Sequence, residues 1–359
     1  MYQPDIHKQT ITIEGITYSS DSFRGELDPD FALKSDFHNE LLLFLKEWFS
    51  DASTLTVKTS GSTGIPKEIQ VEKDRMIQSA HLTCSFLGLQ KDDTALLCMP
   101  LQYIAGKMMV VRCLISGLDL YVIPPSGNPL KDRDIHFHFA AMIPLQVFNT
   151  LQSDIETQRL QQIKSLIIGG GSIDTGLEEK LKDFPNSVYS TYGMTETLSH
   201  IALRKISGQK ASIKYQPFDT VSLSLSEEGT LIIKAPLVCK ETLYTNDVAE
   251  IYEDGTFRII GRKDNIINSG SIKIQIEKLE ELLKPLITRN FAITSIPDPK
   301  FGEIIVLVSE DEIDITTLSG QVPDYYIPKK NIVISKIPQT ETGKISRAEI
   351  KKLALNLSK

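Results

Sequence analysis

The sequence predicts an α/β protein: a large N-terminal domain of parallel-rich sheet with a β-rich subdomain, then a small α+β C-terminal domain. Three observations predict it. Over residues 118–192 apolar strand-length runs alternate with helix-length amphipathic runs, the pattern of parallel strands joined by crossover helices. Residues 211–260 change to short β-type runs broken by the turn pairs Glu228-Gly229 and Asp254-Gly255. Past Gly261-Arg262 a helix, two strands and a last helix follow. The expected division is 1–261, a junction at 262–265, and 266–359.

The elements follow in order. Thr10-Ile11-Thr12-Ile13 alternates as a strand does, and Phe37, Leu41, Phe44, Leu45 and Trp48 share one face of a helix. A helix over Lys73–Leu87 buries Ile77, Ala80, Cys84 and Leu87, and Gly88 is placed to end it. Lys107 and Arg112 lie at helical spacing beyond Gly106 and read as helix surface. Strands are expected at 120–123, 135–141, 165–168 and 187–190, with helices at 144–151 and 175–184. In such a sheet ligands sit at the strand C-termini, where Gly169-Gly170-Gly171 and Tyr192-Gly193 fall. His136 and His138 resemble a metal pair, but they sit on the expected strand 135–141 without a third ligand at a telling spacing. The C-terminal unit is expected to carry a helix near 277–284, strands near 292–296 and 304–308, and a helix after Ser346.

The 359 residues suffice for two or three domains, and 39 Lys plus Arg against 46 Asp plus Glu give a net charge of −7. That mild acidity argues against bulk nucleic-acid binding. Cys84, Cys98, Cys113 and Cys239 show no paired spacing, so a reducing, cytoplasmic setting is expected. No run reaches membrane-spanning length, and the first residues are not a signal peptide. Oligomeric state is not legible.

Chemistry concentrates in Lys58-Thr59-Ser60-Gly61-Ser62-Thr63-Gly64-Ile65-Pro66-Lys67. Glycines let backbone N–H groups approach a polyphosphate, hydroxyls donate to it, and lysine supplies charge. The Walker A pattern fails, because Pro66 stands in place of its second glycine and Glu68 in place of its Mg²⁺-holding hydroxyl. Alone, the stretch reads equally as a Ser/Thr/Gly-rich linker.

Further stretches decide between the two. Ser60-Gly61-Ser62-Thr63-Gly64-x-Pro66-Lys67 resembles the signature loop of the adenylate-forming enzymes, the superfamily of acyl-CoA synthetases, luciferases and peptide-synthetase adenylation domains. Tyr192-Gly193-Met194-Thr195-Glu196, Thr245-Asn246-Asp247, Gly261-Arg262-Lys263-Asp264-Asn265 and Pro338-x-Thr340-x-x-Gly343-Lys344 are similar to that family's later motifs, in order. The segment before the phosphate loop is shorter than is usual there, a reduced first lobe.

The resemblance implies ATP, Mg²⁺ and coenzyme A as reactants and cofactors, and a mobile C-terminal domain. It implies that Ser60, Ser62, Thr63 and Lys67, with Gly61 and Gly64 between them, hold the β- and γ-phosphates. Gly169, Gly170 and Gly171 would border the adenine and Tyr192-Gly193 stack on it; Thr195 would contact a phosphate oxygen and Glu196 hold Mg²⁺. Asp247 and Arg262 would take the ribose, Lys344 would bridge carboxylate and α-phosphate, and Asp264 would be the hinge. Tyr103 stands where the family often has a pocket-lining histidine. Gly270-Ser271 replaces the usual Gly-Gly after the hinge, and Ile276 replaces a proline.

Within the superfamily the wording of residues 191–197 and the compact size are most similar to the o-succinylbenzoate–CoA ligases of menaquinone biosynthesis. A dicarboxylate substrate needs a donor or cation for its spare carboxylate, and Lys107, His200 and Arg204 are candidates. Another aryl- or acyl-CoA ligase, an adenylation enzyme loading a carrier protein, and a catalytically silent nucleotide-binding protein are the rival readings.

Overall fold

A computed structural model describes residues 2, 4–24, 34–58, 68–131, 134–173, 175–270, 272–339 and 345–358. Ser60, Gly61, Ser62, Thr63, Gly64 and Lys67 of the phosphate loop, and Lys344, lie outside the described residues. The chain packs as two compact units, Met1–Ser222 with Lys234–Thr242 and Leu223–Ile233 with Leu243–Lys359. That division puts Asp264 and the four-stranded sheet before it in the second unit, whereas the sequence placed its junction at 262–265.

The first unit opens with strands β1 (Thr10–Ile13) and β2 (Ile16–Ser19), helix α1 (Asp36–Trp48), strands β3 (Thr54–Lys58) and β4 (Glu68–Glu72), and helix α2 (Lys73–Leu87). It continues with β5 (Thr94–Leu97), α3 (Ile104–Ser116), β6 (Asp119–Val122), β7 (Phe139–Met142), α4 (Pro144–Thr150), α5 (Asp154–Gln161), β8 (Ser165–Ile168), α6 (Thr175–Lys182), β9 (Ser187–Gly193), β10 (His200–Lys205) and β11 (Gln216–Pro217). Among the described residues the main sheet runs β11-β10-β9-β8-β7-β5-β6-β1-β2. The run from β9 to β1 is parallel; β2 at one end and β10 with β11 at the other pair antiparallel.

Strand order reverses at β5, whose next strand in sequence lies on one side of it and the following one on the other. Such a switch opens a crevice at the strand C-termini. The chain leaving β5 runs through Pro100 and Leu101 to Tyr103, the N-cap of α3. A Cβ at Gly106 would lie 2.8 Å from the Met99 carbonyl oxygen, so glycine lets this helix sit directly on the β5 exit.

β7 and β8 are buried at every position, as strands covered on both faces must be. β7 starts only at Phe139, so His136 and His138 precede it rather than alternating along it. The His138 ring is occupied by Thr94, whose backbone N–H donates to Nδ1 at 3.1 Å. Helix α2 ends at Gly88 in the left-handed conformation, as its sequence required.

Helix α3 corrects one expectation. Met108, Met109, Val110, Val111, Cys113 and Leu114 leave it no polar face, and a helix apolar all round is buried on all sides. Lys107 and Arg112 are therefore buried with it instead of lying on the surface.

The second unit contains β12 (Ser222–Leu225, from its second residue), β13 (Thr230–Lys234, to Ile233), β14 (Leu243–Ile251) and β15 (Phe257–Arg262) as one antiparallel sheet. Gly229 and Gly255 turn its hairpins at φ 76° and 79°. There follow β16 (Ile266–Ser269), β17 (Ile272–Gln275), α7 (Ile276–Leu283), β18 (Phe291–Asp298), β19 (Gly302–Ser309), β20 (Lys330–Val333) and α8 (Arg347–Leu357). Alternation along β18 and β19 builds two cores. Ile293, Ile305 and Leu307 pack with Leu279 and Leu283 of α7, whereas Ala292, Val306 and Val308 pack with Ile350 and Ala354 of α8. The helices therefore cover opposite faces of this sheet.

Candidate active site

Gly169-Gly170-Gly171 and Tyr192-Gly193 close the adjacent parallel strands β8 and β9. Gly170 has φ 78°, a conformation open to glycine, and a Cβ at Gly169 would collide with the Thr191 hydroxyl. The two turns thus meet backbone against side chain. The Tyr192 ring lies 5.9 Å from that of Tyr215, whose hydroxyl shares a 2.9 Å hydrogen bond with Ser190.

The chain then makes a tight excursion from Gly193 to His200. Thr197, fully buried, pins it: its hydroxyl oxygen accepts from the Met194 N–H at 3.0 Å, and its proton is within reach of the Ser199 carbonyl oxygen at 2.7 Å. Leu198 carries φ 65°, a strained value for a residue with a side chain, held by its N–H bond to the Thr195 carbonyl and by burial. Thr195 is half-buried and Glu196 exposed, so the carboxylate points outward from a rigid turn. At Gly193 a Cβ would strike the Ser199 carbonyl oxygen and sit 2.6 Å from the His200 Cα. Gly193→Ala is therefore expected to cost about 1–3 kcal/mol in urea unfolding. It should also lower acid-dependent ATP–pyrophosphate exchange by more than tenfold.

Behind this turn runs a directed chain of hydrogen bonds. Arg112 Nη2 donates to Ser199 Oγ at 2.6 Å, and Ser199 Oγ is 3.2 Å from His200 Nδ1. His200 Nε2 is 3.0 Å from Thr83 Oγ1, which donates to the Ser79 carbonyl at 3.1 Å. Because Thr83 gives its one hydroxyl proton to the Ser79 carbonyl, it accepts from His200 Nε2–H, and the free lone pair of Nδ1 accepts the Ser199 hydroxyl. The imidazole is neutral: burial, then the nearby Arg112 charge, hold it well below its ordinary 6.5.

This corrects His200 as a cationic reader of a carboxylate. It also gives a sign for stability. Below about pH 6.5 the unfolded chain takes up a proton at this position and the folded chain does not, so stability falls as pH falls. The unfolding free energy of the wild type relative to His200→Gln should drop by up to about 1.4 kcal/mol per pH unit below 6.5, read from urea titrations between about pH 5 and 7.5.

The other two candidates are also engaged. Arg204 makes a two-pronged pair with Glu178 of α6 at 2.6 and 2.7 Å and donates to the Ser212 carbonyl at 3.2 Å. Lys107 Nζ lies 4.8 Å from the Phe44 ring centroid and 3.5 Å from a Glu47 carboxylate oxygen, both on α1. Arg112 differs. It is fully buried, its Nε has no hydrogen-bond partner, and among the described residues no carboxylate lies within ion-pair distance. Burial pulls its guanidinium down to about 10, still charged near neutrality. Sequence reasoning missed Arg112, Ser199 and Thr197. The all-round apolar neighbours of Arg112 were the available signal.

In the second unit Asp247 lies inside β14 opposite Arg262 of β15. Arg262 reaches Asp247 Oδ1 with Nη1 at 3.1 Å and Asp264 Oδ2 with Nη2 at 2.9 Å. Lys263 pairs with Glu228 at 2.5 Å. The phosphate-loop segment is flanked by Lys58 and Glu68, paired in register on β3 and β4, and Lys58 also bridges to Tyr103.

Residues 49–227 match the AMP-binding enzyme family. An acyl-CoA synthetase (AMP-forming)/AMP-acid ligase II-like protein from Dyadobacter fermentans is 30% identical in sequence, with a TM-score of 0.64 over 92% of this chain and 97% of that one.

The chain belongs to the AMP-binding enzyme family.

Among other members, the 2-succinylbenzoate–CoA ligase of Bacillus cereus is 26% identical over 350 residues, spanning 86% of this chain and 72% of that protein. The o-succinylbenzoate CoA synthetase of Bacillus subtilis, solved with its acyl-adenylate intermediate, shares the fold at 21% identity, with a TM-score of 0.69 over 84% and 69% of the two chains. Among the described residues no cluster of three or more His, Cys, Asp or Glu could hold a metal. An AMP-binding enzyme does not need one. Magnesium takes few protein ligands and completes its shell with water and phosphate oxygens, which suits a single exposed carboxylate such as Glu196. No described helix is long and apolar enough to cross a membrane.

Proposed function

We propose that this chain is an AMP-forming acid–thiol ligase that converts o-succinylbenzoate to o-succinylbenzoyl-CoA, a step of menaquinone biosynthesis in the cytoplasm. The observation that carries the choice of acid is Arg112. A buried cation that faces no carboxylate among the described residues costs several kcal/mol, and the second carboxylate of a dicarboxylate substrate would offset that cost. The relatives named for that substrate support the same reading.

In the first step a carboxylate oxygen attacks the α-phosphorus of ATP, the bond to the bridging oxygen of the β-phosphate breaks, and pyrophosphate leaves. In the second the CoA thiolate attacks the acyl carbon and AMP leaves. Both reactants of the first step are anionic, so the protein's part is positioning and charge neutralisation. Ser60, Ser62, Thr63 and Lys67 hold the β- and γ-phosphates, with Gly61 and Gly64 admitting the backbone. Gly169, Gly170, Gly171, Tyr192 and Gly193 form the base platform, and Asp247 with Arg262 takes the ribose. Thr195 donates to a phosphate oxygen and Glu196 holds Mg²⁺, which neutralises phosphate charge when bound. Lys344 lies across the attacking carboxylate and α-phosphate. Tyr103 walls the acyl pocket, Arg112 reads the second carboxylate, and Asp264 is the hinge on which 266–359 turns between steps.

A panel of carboxylic acids scored for AMP release with and without CoA tests this. The expected result is CoA-thioester formation with o-succinylbenzoate at least about tenfold more efficient than with benzoate or a medium-chain fatty acid. Equal use of the mono-acids would sink the dicarboxylate reading. Adenylation without transfer to CoA would point to a carrier protein as acceptor.

A further inference from the structure

We propose that Gln275, oriented by Glu277, latches the segment 262–265 and sets how readily the chain turns at Asp264 between the two half-reactions. The proposal rests on the ligase reading above and deepens it.

The Gln275 side-chain amide donates one hydrogen to the main-chain carbonyl of Arg262 at 2.8 Å and the other to Glu277 Oε2 at 2.5 Å. The second oxygen of Glu277 accepts from Asn265 Nδ2. Gln275 is the N-cap of α7 in extended backbone and Glu277 stands in the first turn of that helix, so both side chains project from one fixed point. Gly261 makes room for them. A Cβ there would lie 2.5 Å from Gln275 Nε2 and 2.6 Å from Glu277 Oε2. The glycine in β15 is thus explained by the latch that packs against it.

The bonds divide at Asp264. Asn265, Gln275 and Glu277 all follow it, and the pairing of Ile266 with Gln275 on β16 and β17 ties them into one body. Arg262 precedes it. A torsional change at Asp264 leaves the Asn265–Glu277 bond intact but must break the Gln275–Arg262 bond. Among the described residues the amide–carbonyl bond is the hydrogen bond that spans the pivot segment itself, alongside the longer Arg258–Glu281 ion pair at 3.9 Å between β15 and α7, and Glu277 fixes its direction by holding the other amide hydrogen. The net worth of a neutral hydrogen bond corresponds to about a two- to tenfold bias between the arrangements that make and break it. Hinges are a few residues that absorb a φ/ψ change, and a bond across one biases the change without touching substrate.

The test uses the full chain. Gln275→Ala removes the donor that crosses the pivot, and Gln275→Lys restores a donor able to reach both acceptors. Two rates are compared: acid-dependent ATP–pyrophosphate exchange, and thioester formation from pre-made acyl-adenylate and CoA. Gln275→Ala is expected to change their ratio by about two- to tenfold, and Gln275→Lys to return it toward wild type. Hydrogen exchange at the 263–266 amides, measured without substrate, should quicken in Gln275→Ala. An unchanged ratio, or an equal fall in both rates, overturns the proposal whatever the amides show. A wild type with no acid-dependent exchange removes the ligase reading and the proposal with it, and in that case quickened amides still report the contact itself.

Discussion

Lys344→Ala is expected to lower acid-dependent ATP–pyrophosphate exchange by about a hundred- to a thousandfold, while thioester formation from pre-made acyl-adenylate and CoA stays within about threefold. The first step joins two anions, and charge moves from carboxylate to pyrophosphate as the α-phosphorus is transferred. A cation placed across both groups stabilises that transition state more than either reactant, which is what raises a rate. The second step starts from a neutral acyl carbonyl and needs no such bridge. On the residues that flank it in sequence, Gln339 pairs with Ile345, and the Ser346 N–H donates to the Pro338 carbonyl at 2.9 Å. Arg347 then clamps Glu280 of α7 through two 2.6 Å bonds. The Ala variant loses a charge and keeps these flanking contacts. Equal loss in both half-reactions would show that Lys344 supports the fold or both steps alike.

Much of this architecture was legible because its physical cause is local. The helix Lys73–Leu87 ends where Gly88 can turn left-handed, and β8 is an apolar run bounded by polar residues and glycines. The turns at Gly229 and Gly255 follow from residues able to adopt positive φ. Features decided at a distance were not legible. β10 runs His200-Ile201-Ala202-Leu203-Arg204, buried throughout and lacking the alternation that marks a strand. His200 titrates low because the fold buries it and sets the Arg112 charge nearby, and its ring partner Thr83 lies 117 positions away. Arg204 and Lys107 looked available as cations, and only the packing of α6 and α1 supplies Glu178 and Glu47 to them. The phosphate-loop residues and Lys344 were assigned from motif resemblance, and their roles stand as proposals.

Arg112→Leu separates a cation kept for a ligand from one kept for the fold. A buried charge held by the Ser199 hydroxyl and the Phe139 ring, whose centroid lies 6.0 Å away, with its Nε unmatched and no carboxylate partner among the described residues, is destabilising in the ligand-free protein. Leucine fills the same apolar surroundings of α3 without that desolvation, and Ser199 can still donate to His200. The variant should therefore unfold at the same or higher urea concentration than the wild type. Substrate turnover should move the other way. Losing one side of a desolvated, hydrogen-bonded charge pair costs about 2–5 kcal/mol, so kcat/KM for o-succinylbenzoate should fall by at least about thirtyfold. Activity with a mono-acid of similar size, which never met the guanidinium, should be unchanged or improved. Arg112→Lys keeps the charge but not the fork, and should lie between the two. His200 gives an independent readout: without the neighbouring guanidinium its pKa rises toward the ordinary value, visible in its ring proton shifts. A variant that loses stability and both activities together would assign Arg112 to the fold, and the second carboxylate would need another reader.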